Sequence, residues 1–157
     1  NSKIADDAVD TAQLADHSVT AVKISNTDSK FNVQTDGKVG IGICYDLRFP
    51  NLAEHYMKNG CFLIVYPGSF NRVTGPKHWM LLQQARALDN QLYVASCSSA
   101  CSFGTKYESY GKSFIISPFG EVKAETSLDS EEIVMKTLDL PEMIEVRKRL
   151  PILNISQ

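Results

Sequence analysis

The sequence predicts an α/β fold, a strand sheet covered by helices, on three observations. Two continuous apolar runs, Cys61-Phe62-Leu63-Ile64-Val65-Tyr66 and Leu92-Tyr93-Val94-Ala95-Ser96-Cys97, have the length and composition of strands buried on both faces. Segments whose apolar residues recur at helical spacing lie between and around them. A pair of short strands then follows, closed by a turn containing Pro118 and Gly120.

In the first strand, Val39, Ile41 and Ile43 alternate with Gly40 and Gly42, so one face carries branched side chains and the other carries none. A glycine face of this kind predicts another backbone packed closely against it. Cys44 breaks the alternation, and Asp46 and Arg48 follow at once, marking a strand-to-helix turn. Pro50 suits the first turn of a helix bearing Leu52, Ala53, Tyr56 and Met57 on one side, with Asn59-Gly60 as its stop. Pro67-Gly68-Ser69 ends the second strand and opens a polar loop through Thr74-Gly75-Pro76. A helix over residues 77–89 comes next, with Trp79, Leu82 and Ala85 along its buried stripe and Leu81 and Leu88 beside it. Strands over 112–117 and 121–125 are joined by a type I turn at Ser117-Pro118-Phe119-Gly120. A further strand is predicted over 133–138, then a final helix from Pro141 with Met143, Val146 and Leu150 on one face.

At 157 residues the chain can bury a real core in one domain. A net charge of −2 without a basic cluster argues against a nucleic-acid partner. No apolar run is long enough to span a bilayer, so no membrane partner is expected. The acidic start from Asn1 to Asp10 lacks the apolar core of a secretory signal, which predicts a cytoplasmic chain. Cys44, Cys61, Cys97 and Cys101 read as reduced thiols. Cys97 and Cys101 have no histidine or third cysteine beside them, so packing is the expectation there, with no metal and no cofactor.

Residues 1–37 form an unlike segment, without an aromatic residue before Phe31 or a glycine before Gly37. Lys3-Ile4-Ala5-Asp6 recurs as Gln13-Leu14-Ala15-Asp16 and as Lys23-Ile24-Ser25-Asn26, a period of ten. So short a repeat cannot bury its apolar side chains within one chain, and calls for identical neighbours or a host surface. The run from Phe31 to Gly37 alternates and ends in Asp-Gly, a hairpin signal. The division read from composition is therefore a repeat segment, 1–37, and a second unit, 38–157.

A strand-to-helix turn holds a thiol rigidly while freeing it from the sheet, which suits Cys44 as a nucleophile. The alternative is a buried small hydrophobe, the common state of a free cysteine. Residues 38–150 resemble the C-terminal half of the nitrilase (carbon–nitrogen hydrolase) superfamily, in its ω-amidase branch. The resemblance is carried by Val39 to Pro50, Val65-Tyr66-Pro67-Gly68, Thr74-Gly75-Pro76 with His78-Trp79, Ala85-Arg86-Ala87 with Asn90-Gln91, and Ser117 to Glu121. It implies half of an α-β-β-α sandwich, paired with a second subunit as a dimer, in a cytoplasmic or mitochondrial protein. It implies hydrolysis of a small ω-amide of a 2-oxo dicarboxylic acid, with release of ammonia. Cys44 would be the nucleophile, the Tyr45 backbone N–H would meet the oxyanion, and Arg48, Phe70, Asn71, Thr74 and His78 would surround the substrate. Residues 1–42 also resemble the decapeptide repeats of trimeric phage-type fibres and adhesin stalks, which would make the oligomer a trimer.

Two parts of the implied machinery have no counterpart. The family places a glutamate base and an oxyanion-steadying lysine upstream of the cysteine. The 43 residues before Cys44 hold no glutamate, and Lys3, Lys23, Lys30 and Lys38 match no family motif. Asn51, Met80 and Lys112 also replace residues usual in this branch. The expectation is a weak or inactive hydrolase on its own, the alternative a catalytically dead oligomerising chain. Half a sandwich would leave Ile64, Val65 and Val94 without cover. Asp46 is expected to pair with Arg48 across the turn or to position substrate, and Arg86 to pair with Asp89 or a strand acid. His78 reads either as a pocket residue or as an ordinary helix residue.

Overall fold

The protein is described by a computed structural model over residues 37–154, apart from 102 and 105. The decapeptide repeats and the hairpin over 31–37 lie, but for Gly37, outside the described residues. One five-stranded sheet organises the rest: β1 (Lys38–Ile41), β2 (Cys61–Pro67), β3 (Tyr93–Cys97), β4 (Phe114–Ile116) and β5 (Val122–Glu125), in that spatial order. The first three strands run parallel and the last two form an antiparallel extension. The crossovers are α1 (Pro50–Lys58) and α2 (Met80–Asn90), the latter entered through a π-turn at Gly75–Trp79. A last helix, α3 (Leu140–Arg149), follows the sheet.

Both crossover helices lie on one sheet face, because strand alternation sends Ile64, Tyr66, Val94, Phe114 and Ile116 to that side. There they close on Leu47, Ala53, Phe70, Trp79, Ala87 and Leu92 in a single buried cluster. The expected bareness of Ile64 and Val94 is corrected by this packing, since both are fully buried. Residues on the other face fare differently. Register aligns Ile41, Val65, Ala95, Ile115 and Ala124 in one row across all five strands, and none of them is fully buried. The expectation that β2 is buried on both faces therefore holds for one face only.

Five further expectations need correction. The glycine face of β1 meets aromatic rings rather than a backbone: Gly40 lies against the Tyr56 ring and Gly42 against that of Tyr66. The branched face is the open one, with Ile41 and Ile43 exposed. The buried stripe of α2 runs Gln83, Arg86, Ala87, Asn90 behind Trp79, while Leu81 and Leu88 face outward. Each donates to a helix or turn carbonyl, Gln83 Nε2 to Trp79 O, Asn90 Nδ2 to Arg86 O and Arg86 Nε to Leu47 O, while Gln83 Oε1 stays buried without a partner. Arg86 thus forms no ion pair with Asp89. No strand forms over 133–138, where Ile133 and Met135 stand exposed. In α3 Met143 and Val146 are buried as expected, but Leu150 is exposed.

Candidate active site around Cys44

Where β1 ends, the chain enters a 3-10 turn at Cys44–Arg48. Cys44 itself takes φ +47°, the left-handed region that carries a penalty of about 1–2 kcal/mol for a residue with a β-carbon. Its neighbours hold it there. Gly42 N–H donates to Val65 O at 3.0 Å, Asp46 N–H to Ile43 O at 2.9 Å, and Ile43 N–H to Asp46 Oδ2 at 2.9 Å. Asp46 is thus committed to the turn's own backbone, and it makes no ion pair with Arg48. Tyr45 follows in the first turn, where backbone N–H groups lack an intrahelical acceptor. Beneath the turn, burial pushes the Tyr66 hydroxyl up to about 12, so it stays neutral at pH 7.

The thiol is half-buried and unbridged, and Sγ reaches the Ser69 carbonyl at 3.9 Å. Ser69 belongs to the segment leaving β2, which passes Cys44 at Gly68. The loop beyond is built on Asn71, whose Oδ1 accepts Val73 N–H at 3.0 Å, Thr74 N–H at 2.9 Å and the Thr74 hydroxyl at 3.0 Å. Thr74 O in turn accepts His78 N–H at 2.8 Å, seating the histidine in the π-turn. Phe70 is buried with its ring 4.7 Å from that of Trp79, and Arg48 stacks over Phe70 at 4.6 Å and over Tyr45 at 5.2 Å. Arg48 Nη1 lies 3.2 Å from His78 Nδ1.

A cavity of about 400 Å³ is lined by all seven residues singled out from the sequence: Cys44, Tyr45, Arg48, Phe70, Asn71, Thr74 and His78. Ser69 and Tyr107 complete the lining. The Tyr107 hydroxyl donates to Ser69 O at 2.6 Å, the carbonyl that also meets the thiol. Nothing in the spacing marked Tyr107, which sits in an irregular loop far along the chain. Ser69 was legible only as the end of a strand. Among the residues lining this cavity there is no carboxylate and no lysine. A larger hollow of about 550 Å³, between α1, α2 and the C-terminal turn, holds no cysteine or histidine.

An α/β sheet of this strand order, covered by helices, agrees with what family comparison shows. Residues 16–148 match the carbon-nitrogen hydrolase family, and the chain belongs to it. It is similar to Omega-amidase NIT2 of Xenopus tropicalis, at 52% identity over 115 residues, covering 73% of this chain and 41% of the relative. The Homo sapiens Omega-amidase NIT2 is 48% identical over 115 residues, with the same coverage of 73% and 41%. Among solved structures, Saccharomyces cerevisiae Nit3, of the nitrilase superfamily, superposes with a TM-score of 0.71 at 45% identity, covering 74% of this chain and 42% of that one. The Caenorhabditis elegans NitFhit protein gives 0.67 at 34% identity, covering 76% and 29%. The fold is that of the nitrilase superfamily, and the chain spans about four tenths of the length of the curated relatives it matches. Among the described residues, no helix is long and apolar enough to cross a membrane.

Proposed function

We propose that this chain is the nucleophile-bearing portion of an amidase acting on a small ω-amide of a 2-oxo dicarboxylic acid. The observation that carries the reading is Cys44, held in a left-handed turn with its thiol in a cavity beside an arginine that has no carboxylate partner among the described residues. The Cys44 thiolate adds to the amide carbon, the carbonyl electrons move to oxygen, and the Tyr45 N–H meets the resulting oxyanion. Collapse expels the nitrogen as ammonia, carrying the proton taken from the thiol, and leaves a thioester that water hydrolyses. Arg48 receives the far carboxylate of the substrate, as a planar guanidinium is suited to do.

The same reading assigns the base and the oxyanion cation to no residue of the cavity, because its lining holds no carboxylate and no lysine. A missing general base lowers turnover by about 10²–10⁴-fold, so the isolated 157-residue chain is expected to release ammonia slowly. That deficit also favours a second reading, a catalytically dead oligomerising chain in which residues 1–37 drive assembly and 38–157 is a passenger unit. Ammonia release from an ω-amide, compared between wild type and Cys44→Ala, separates the two. Slow release abolished by the substitution supports the enzyme. Release that survives it overturns the cysteine reading, and a trimer with no release at all favours the structural one.

A further inference from the structure

The contact between Arg48 and His78 constrains the chemistry of both. A guanidinium only donates, so His78 Nδ1, 3.2 Å from Arg48 Nη1, must present a bare lone pair. The histidine is therefore neutral, with its proton on Nε2, a tautomer set by the partner's chemistry. Two aromatic faces, Phe70 at 4.6 Å and Tyr45 at 5.2 Å, confine the guanidinium plane. A ring face attracts a cation without fixing its rotation. Direction has to come from elsewhere. Asp46, the nearest acid in sequence, is occupied by Ile43 N–H, and Arg48 forms no ion pair among the described residues. Among the described residues His78 alone gives Arg48 a directional contact, and His78 is itself pinned through its own N–H on Thr74 O, in a π-turn of the kind enriched at functional sites.

We propose that His78 is a positioning residue: a neutral acceptor that holds one edge of Arg48, so that the other edge is aimed into the cavity at a carboxylate on the substrate. It confers preference for acidic over uncharged amides without touching the substrate itself. The proposal rests on the reading of Cys44 and Arg48 given above, and its test does not depend on amide turnover.

Iodoacetate and iodoacetamide alkylate a thiolate by the same displacement of iodide and differ in carrying a carboxylate or an uncharged amide. Their rates at Cys44 are measured on the full chain by mass spectrometry of its peptide, with the exposed Cys97 as internal reference. The ratio of the two rates cancels any change in the thiol's own reactivity. Wild type is expected to favour iodoacetate at Cys44 relative to Cys97, by about tenfold if a charge-assisted hydrogen bond forms. Arg48→Met abolishes the preference. His78→Phe, which keeps a ring but no acceptor, brings it down to the Arg48→Met level, and His78→Leu serves if that variant loses its melting transition. His78→Asn, which keeps an acceptor near the Nδ1 position, restores at least half of it. If the His78→Phe ratio matches wild type while Arg48→Met has lost it, the positioning role is overturned and the carboxylate site stands. Failure of His78→Asn to restore a preference lost in His78→Phe overturns the acceptor role. No preference in wild type overturns both.

Discussion

Gly68 decides how near the exit of β2 can come to the nucleophile. A β-carbon there would sit 2.9 Å from Cys44 Cα and 3.2 Å from Trp79 Cη2, against a backbone on one side and a fully buried ring on the other. Neither gives way easily, since Trp79 is packed on Phe70 and its Nε1 donates to Lys112 O at 2.7 Å. Gly68→Ala is therefore expected to destabilise the fold by about 1–3 kcal/mol, the range for overpacking a tight core. The shift also pushes Cys44 away from Ser69 O and slows its alkylation by iodoacetamide. A denaturant melt and a timed labelling assay check the two effects, and a Gly68→Ala chain with wild-type values in both removes the close approach as a structural requirement.

Besides burying Met143 and Val146, α3 is anchored by polar contacts. The Tyr93 hydroxyl lies 2.6 Å from Glu142 Oε2 and 2.8 Å from Asp139 O, Lys123 Nζ bridges Glu142 at 2.9 Å, and Arg147 Nε donates to Gln91 O at 3.1 Å. Burial alone pushes Glu142 up, but the Tyr93 and Lys123 contacts outweigh it and its carboxyl titrates below the usual range. A carboxyl lowered on folding stabilises the fold above its unfolded value of about 4.3, and that contribution is lost as pH falls through the lower folded value. Glu142→Gln is expected to cost about 0.5–1 kcal/mol at pH 7, discounted for partial exposure, with the gap to wild type narrowing as pH falls below about 4.3. Thermal melts taken downward from neutral pH test it, and a gap that does not narrow at all below that value excludes the titration as its cause. Elements of this kind were only partly legible in the sequence. Pro50, Asn59-Gly60 and the Ser117 to Gly120 turn announce their elements locally, and the Gly120 N–H to Ser117 O bond of 2.8 Å closes that turn. The stripe of α2 was misread because Gln83, Arg86 and Asn90 are buried by hydrogen bonds that hydropathy cannot register. Residues 133–138 have strand composition, but pairing requires a neighbour, and among the described residues none aligns with them. The cavity's residues were named through the family resemblance, and they cluster in two short segments, 44–48 and 69–78, at the exits of adjacent parallel strands. Tyr107 joins them only through tertiary folding.

Across the whole molecule the two faces of the sheet are unequal. One is sealed by α1 and α2, while α3 ties down the end near Tyr93 on the other and leaves the row Ile41, Val65, Ala95, Ile115 partly open. Ile41 is 42% and Ile43 65% exposed at the β1 edge of that row, beside a strand with no partner on its outer side among the described residues. An apolar row continuous over several strands attracts other apolar surface, and an unpaired edge offers it backbone groups as well. The chain is accordingly expected to self-associate and to light up a hydrophobic dye in its native state. Charge introduced at the open end of the row, as Ile41→Lys with Ile43→Lys, removes little burial. It should therefore reduce dye fluorescence and shift sedimentation toward smaller species, with a stability change within about 1 kcal/mol. The same experiment separates the surfaces that drive assembly. If association survives both lysines but is lost when residues 1–36 are removed, the repeat segment holds the oligomer together; if the lysines alone disperse it, the sheet face does. A wild-type chain that sediments as a monomer at every concentration and leaves the dye dark would show that the row is no interface at all.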